Sequence, residues 1–303
     1  MSHLLFVVGS TATGKSDLAV EIAERAKPAE IINSDSVAFF DQVQIGAAKP
    51  STELLKRAPH HLVGHVTAPH KYTAGDFRRD ALKIIERPNQ YLVVGGSGFY
   101  AQALEKGMYD VGDPDLQLKE QLANEAQTLG FERLFEELKA RDPETKIQPA
   151  DHYRIQRTLE ILRANPGKTM AEIRAEFEAA KPEQPFTSRK IGLFRPRDVL
   201  RQKVTERTKR MLREGLIEEV EALRKLGLHQ WSPMQSVGYK EVQAFLDGQL
   251  RQEDLEPLIV TSTMQLAKSQ MTWFKRDPNT RWFDPDLQWK EAVEAGLELL
   301  TPP

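Results

Sequence analysis

Residues 4–8, Leu-Leu-Phe-Val-Val, form an unbroken apolar run closed by Gly9. A run this short, rich in branched and aromatic residues and without polar alternation, predicts a strand buried on both faces. From 14 to 27 the period changes: Leu18, Ala19, Ile22 and Ala23 fall on one side of a helix. The sequence then repeats the exchange. Residues 29–36, AEIINSDS, read as a second strand that turns polar at Asp35. Residues 77–87, FRRDALKIIER, read as a helix, and 90–98, QYLVVGGSG, as a strand broken by glycines. Strands separated by helices predict an α/β fold: a parallel sheet flanked by helices, with ligands at the carboxyl ends of the strands. Gly9, Asp35 and residues 95–97 should share that edge.

The pattern changes at Asp113. Residues 113–142 and 151–180 read as helical with no buried strand between them, and 190–194, KIGLF, returns the chain to the sheet. We therefore expect a helical insertion domain at 113–185 within a core made of 1–112 and 186–303. Long helices are expected at 199–226 and 253–275. Within the first, residues 217–225, IEEVEALRK, read as a solvated amphipathic stretch, with charge opposite Val220 and Leu223.

Composition adds bounds. Of 303 residues, 28% are charged and 40% hydrophobic, as in ordinary globular proteins. The absence of cysteine excludes disulfides and thiolate metal sites and suits a reducing cytoplasm. No apolar run approaches the roughly 20 residues of a membrane span, and the strand pattern starting at Leu4 leaves no room for a signal peptide. A monomeric, cytoplasmic protein with no membrane partner is expected. The net charge of −2 hides one basic stretch: residues 195–213 carry Arg195, Arg197, Arg201, Lys203, Arg207, Lys209, Arg210 and Arg213 against Asp198 and Glu206. That pattern fits a solvated helix face or a contact to a phosphate backbone.

The chemistry begins after the first strand. Gly9-Ser10-Thr11-Ala12-Thr13-Gly14-Lys15-Ser16 fits the P-loop pattern G-x-x-x-x-G-K-[ST] between a strand and a helix. Its glycines let backbone amides converge on phosphate oxygens, Lys15 adds a charge, and the Ser16 hydroxyl suits Mg²⁺. A hydrolytic P-loop protein normally ends a second strand in an Asp that helps hold Mg²⁺. Here the corresponding strand ends in Gly95-Gly96. Asp35 is the first carboxylate placed to approach the phosphates, either as a base for an attacking group or as a cap for the next segment. A base there suits group transfer. Two other uses of a P-loop remain: a kinase for a small hydroxyl substrate, and a nucleotide-dependent switch, for which no D-x-x-G follows a strand.

Several segments together resemble the tRNA dimethylallyltransferases, also called tRNA isopentenyltransferases. They are GSTATGKS, INSDSVAFFDQVQIGAAKP, YTAGDFRRDA, VVGGSGFY, YRIQRTLEI, QSVGYKE and QLAKSQMTWF, in the family's order and spacing from residue 4 to about 284. The resemblance implies that the P-loop holds the diphosphate of dimethylallyl diphosphate with Mg²⁺ rather than ATP. It further implies transfer of the prenyl group to the exocyclic amine of the adenosine 3′-adjacent to the anticodon in tRNA, with release of pyrophosphate. Asp35 matches the family's proposed general base, and Ser97, where Thr is usual, keeps the hydroxyl that helps place the base and diphosphate. The implied tRNA contacts come from Asp35, Ser36, Val37, Ala38, Ser97 and Gln117, and from Tyr153, Arg154, Ile155, Gln156 and Arg157. Two later segments are implied as well: Gln235, Ser236, Val237, Gly238, Tyr239 and Lys240, then Lys268, Ser269, Gln270, Met271, Thr272, Trp273, Phe274 and Lys275. Periodicity alone favours Trp273 and Phe274 as core residues.

Some positions depart from the family pattern. Gln117, Met264 and Ser269 stand where Arg is frequent, Ala47 where Thr is, Gln148 and Ala150 where His and Asn are, and Phe40 where Tyr is. Lost arginines would thin the RNA footprint. The histidines at 60, 61, 65 and 70 match no metal-ligand spacing. The segments QSVGYKE and QLAKSQMTWF and the basic stretch separate the transferase from the kinase, which has no use for them.

Overall fold

The computed structural model describes residues 2–108, 116–180 and 184–300. The first part of the chain runs β1 (Ser2–Gly9), α1 (Lys15–Arg25), β2 (Ala29–Asn33), α2 (Thr52–Arg57), β3 (His60–His61), α3 (Ala74–Ile85), β4 (Gln90–Val94) and α4 (Gly98–Lys106). Three helices follow, α5 (Leu116–Arg141), α6 (His152–Ala164) and α7 (Met170–Ala180). The chain then forms β5 (Phe186–Leu193), α8 (Arg197–Arg213), α9 (Leu216–Lys225), a 3₁₀ turn at Ser232–Gln235, α10 (Tyr239–Leu246), α11 (Gln252–Phe274), β6 (Arg281–Phe283) and α12 (Trp289–Leu300).

The strands form one parallel sheet in the order β3-β2-β4-β1-β5-β6. Its centre explains the opening apolar run. Leu4, Phe6 and Val8 enter the core on one face of β1, and Leu5 and Val7 enter the core on the other. Period-two alternation thus buries residues 4–9 in a strand covered by helices on both sides. Helix α1 packs Leu18, Ala19 and Ile22 into the second of these cores. Helix α3 starts with a capping box, Thr73 with Asp76, and buries Phe77, Ala81 and Ile85 in the first.

The chain divides into two compact units, Met1–Lys106 with Gln184–Pro303, and Gly107–Glu183. The sequence pattern had placed the insertion at 113–185; residues 109–115 and 181–183 lie outside the described residues. The smaller unit holds its own core of Leu122, Leu134, Leu138, Ile155, Leu159 and Leu162. There Arg163 grips Glu125 and Glu137 together, each at 2.6 Å.

Three expected helices are broken. Gly130 (φ 81°) interrupts the helix expected at 113–142, and Gly167 (φ 82°) lies between α6 and α7 in the one expected at 151–180. Gly215 (φ 103°) ends the helix expected at 199–226 and starts α9. In each case a left-handed glycine overrides continuous amphipathic periodicity. Strand β5 starts four residues earlier than the apolar KIGLF, because it pairs with β1 from Ser2 with Phe186 to Gly9 with Leu193. The polar first half of β5 carries little hydrophobic signal but completes the backbone ladder.

Candidate active site

The carboxyl ends of β1, β2 and β4 open onto a cleft of about 430 Å³. The P-loop forms one wall, from Thr11 to Ser16. Gly9, at φ 142°, runs so close to β5 that a Cβ would lie 2.3 Å from the Leu193 carbonyl oxygen. Gly14 takes a left-handed conformation (φ 88°) as N-cap of α1, which leaves the first amides of that helix free for an anion. Lys15 Nζ donates to the Ser10 carbonyl at 2.7 Å, and Thr13 Oγ1 donates to the same oxygen at 2.8 Å. Ser10 Oγ is buried and has no hydrogen-bond partner among the described residues.

Two residues from later helices complete this wall. Gln270, on α11, accepts the Thr11 N–H at 2.8 Å, and Arg207, on α8, donates to Thr11 Oγ1 at 2.8 Å. Burial lowers the Lys15 ammonium to about pKa 8, against the opposing attraction of Asp35 and with added repulsion from Arg207. Burial also lowers Arg207. The cleft thus holds two desolvated cations, a setting that a negatively charged group would favour.

Asp35 lines the cleft just past the end of β2. Its Oδ1 accepts the Val37 N–H at 3.1 Å, and its own N–H donates to Asn33 Oδ1 at 3.0 Å. These bonds fix its side chain and backbone. Ser97 Oγ accepts the Ser36 N–H and donates to Ser36 Oγ, both at 3.0 Å, tying the β4–α4 turn to the segment after Asp35. Gly95 and Gly96 permit this approach: a Cβ would lie 2.4 Å from Ser34 Oγ in one case and 2.5 Å from Gln270 Nε2 in the other.

A further wall was not anticipated. Ala47, Ala48 and Lys49 line the cleft, held by Glu219 of α9. The Glu219 carboxylate accepts the N–H groups of Gln44 (3.0 Å), Ile45 (2.9 Å) and Gly46 (3.3 Å) and the Tyr239 hydroxyl (2.6 Å). The Tyr239 hydroxyl in turn accepts the Ala47 N–H at 3.1 Å. Glu219 therefore turns inward, which corrects the reading of 217–225 as a purely solvated stretch. Charge alone cannot distinguish an inward carboxylate from an outward one.

The remaining predicted residues separate by exposure. Ala38, Gly238, Tyr239 and Phe274 are buried in the larger unit and Ile155 in the smaller. Ser36, Val37, Ser236, Val237, Gln270, Met271 and Trp273 are half-buried. Trp273 packs against Gly98, where a Cβ would lie 2.1 Å from its ring. Gln235, Lys240, Lys268, Ser269, Thr272 and Lys275 are exposed. In the smaller unit Gln117, Tyr153 and Arg154 are exposed, while Gln156 and Arg157 are half-buried. Met264, one of the positions where Arg is frequent, packs against an apolar cluster of Leu200, Val204, Val260 and Ala267. Of the basic stretch, Arg207 and Arg195 face the P-loop, and the other six cations are exposed.

The histidines disperse. His60 lines the cleft, His61 bonds Glu30, His65 packs on Phe39 and Tyr72, and His70 bonds the Thr67 carbonyl. Among the described residues no three His, Cys, Asp or Glu side chains are grouped to hold a metal.

Fold and site together define a P-loop α/β protein whose loop and a fixed carboxylate, Asp35, line one cleft. Residues 38–277 match the family described as IPP transferase, and the chain belongs to that family. The tRNA dimethylallyltransferase of Bdellovibrio bacteriovorus is 44% identical, covering 99% of each chain, P-loop included. That of Geobacter sulfurreducens is 36% identical over 93% of this chain and 92% of its own. Among solved structures, a eukaryotic dimethylallyltransferase acting on tRNA superposes with a TM-score of 0.81 at 25% identity, over 97% of this chain and 77% of that one. The full-length tRNA isopentenylpyrophosphate transferase of Bacillus halodurans gives 0.71 at 29% identity, over 98% and 97%.

Proposed function

We propose that this protein transfers the dimethylallyl group of dimethylallyl diphosphate to the exocyclic amine of the adenosine 3′-adjacent to the anticodon in tRNA. Pyrophosphate is the second product. The observation that carries the reading is the pairing of a cationic P-loop with Asp35 in one cleft, beside a strand β4 that ends without a carboxylate. A kinase reading lacks that metal-holding acid and leaves the family's C-terminal segments without a purpose.

The chemistry follows from the parts. The adenine amine is a weak nucleophile because its lone pair is delocalised into the ring, so leaving-group stabilisation and positioning must carry the rate. Lys15, Arg207 and the amides at the start of α1 take up negative charge as the C–O bond to diphosphate breaks and the N–C bond forms. Asp35 accepts the proton that the nitrogen loses. Ser97 keeps the segment carrying Asp35 in register through Ser36. The Ser16 hydroxyl, with phosphate oxygens, suits Mg²⁺, which would neutralise the diphosphate. The target base must leave the anticodon stack to reach this cleft. The exposed residues among 235–240, 268–275 and 153–157 are the candidates for holding the RNA.

Among the described residues no helix is long and apolar enough to cross a membrane. The reading extends to a cytoplasmic, monomeric protein; a chain without cysteine needs no oxidising compartment.

The test combines labelled dimethylallyl diphosphate with an unmodified anticodon stem-loop. Label should enter the RNA, and Asp35→Ala should lower kcat by about 10²–10⁴-fold while RNA affinity holds. ATP hydrolysis stimulated by a small alcohol, without transfer to RNA, would overturn the reading.

A further inference from the structure

Arg195 lies on the connection from β5 to α8, two residues beyond the Leu193 carbonyl that crowds Gly9. Its side chain is only 12% exposed. Nε and one terminal nitrogen form a two-pronged ion pair with Asp286, at 2.6 and 2.8 Å. The other terminal nitrogen donates to the Ala12 carbonyl at 2.6 Å. Asp286 is itself fixed, its N–H donating to Asp284 Oδ1 at 3.0 Å, and Arg195 holds its carboxyl below the usual range. All three nitrogens of this guanidinium thus serve one purpose: they join the P-loop to the turn before α12.

The contact falls where the loop is strained. Ala12 has φ 61°, a left-handed conformation that an alanine side chain disfavours. In a trans peptide the carbonyl and the following N–H point in opposite directions. A charge that pins the Ala12 carbonyl therefore also sets the direction of the Thr13 N–H. Successive amides turned to one side by such a conformation make an anion-binding concavity. Lys15 cannot perform this service, because it bonds the Ser10 carbonyl instead.

We propose that Arg195, oriented by Asp286, is a positioning residue for the donor: it holds Ala12 in the conformation that aims the P-loop amides at the diphosphate. The proposal rests on the donor-site reading above. Arg195 touches no reacting atom. Its loss should weaken diphosphate binding while leaving RNA binding and the bound-state rate nearly unchanged.

The experiment uses the full chain, with inorganic pyrophosphate as the binding probe and steady-state transfer as the second readout. Arg195→Ala should weaken pyrophosphate binding about tenfold, the scale of one lost charge-assisted contact, and raise the KM for dimethylallyl diphosphate alike. The KM for the stem-loop and kcat should stay within about twofold. Asp286→Asn keeps the shape but loses the charge, so its effect should be smaller. The double variant should be no worse than Arg195→Ala alone, since both act through one contact. Arg195→Lys keeps a charge without the fork, should recover part of the affinity, and serves where the alanine variant fails to fold. If the parent binds pyrophosphate and both Arg195 variants bind it equally well, the positioning role is overturned and the donor reading stands. A parent that fails to bind pyrophosphate overturns the donor reading and the positioning role together.

Discussion

Replacing Glu219 is the most informative perturbation of the cleft's unexpected wall. Its carboxylate accepts two well-formed amide bonds from Gln44 and Ile45, a longer one from Gly46, and the Tyr239 hydroxyl. In Glu219→Ala the backbone amides at the partly exposed loop can turn to water. The Tyr239 hydroxyl cannot, because the residue is 0% exposed. Hydrogen bonds to a charged acceptor contribute about 1.5–3 kcal/mol each, and those open to solvent count for less. One buried bond at full value and two discounted ones give about 3–4 kcal/mol. For a unit of roughly 200 residues each kcal/mol lowers the transition by about 2–4 °C, so Tm should fall by about 6–16 °C. Glu219→Gln keeps one acceptor oxygen and should lose less than half of that. Loosening residues 44–49 also frees Ala47, Ala48 and Lys49 in the cleft, so the KM for the donor should rise more than that for RNA. Thermal unfolding followed by tryptophan fluorescence, with donor kinetics on the same variants, reads both effects. A drop in Tm under about 2 °C for Glu219→Ala would refute the argument, because the loop would then be held by something other than this carboxylate.

Three further outcomes are expected. With Lys15 lowered to about pKa 8 by burial, the free protein loses this proton earlier than the unfolded chain does. Stability from this group therefore rises between pH 8 and the ordinary lysine range, while pyrophosphate affinity falls there as the cation is lost. Lys15→Arg, which never deprotonates, should flatten that fall, and coincident pH profiles would rule Lys15 out as its source. Gly46→Ala places a Cβ 2.3 Å from the Tyr239 ring and should destabilise by about 1–3 kcal/mol, seen as a lower urea midpoint. Ser269 is exposed, so Ser269→Arg should steepen the salt dependence of stem-loop binding by about 0.7–0.9 in log–log slope; Met264→Arg should instead lower stability, because Met264 packs on Leu200 and Val204.

The chain pattern alone determined the central sheet, because β1, β2 and β4 are short apolar runs that only double-sided burial explains. It determined the P-loop backbone too. The glycine spacing from Gly9 to Gly14 and the lysine after it are local requirements of backbone geometry, legible without a fold. Asp35 was legible as the polar end of a strand. What sequence could not reach were contacts between distant segments. Glu219 and Glu218 are neighbours of identical chemistry, yet only Glu219 meets residues 44–46, and only the packing of α9 against that loop selects it. Gln270 and Arg207 meet Thr11 from 259 and 196 residues away in sequence, and Arg195 meets Ala12 from 183. A helix face shows which positions are polar. Which of those polar groups turns inward is decided by the partner that satisfies it, and that partner exists only once the sheet has brought the segments together.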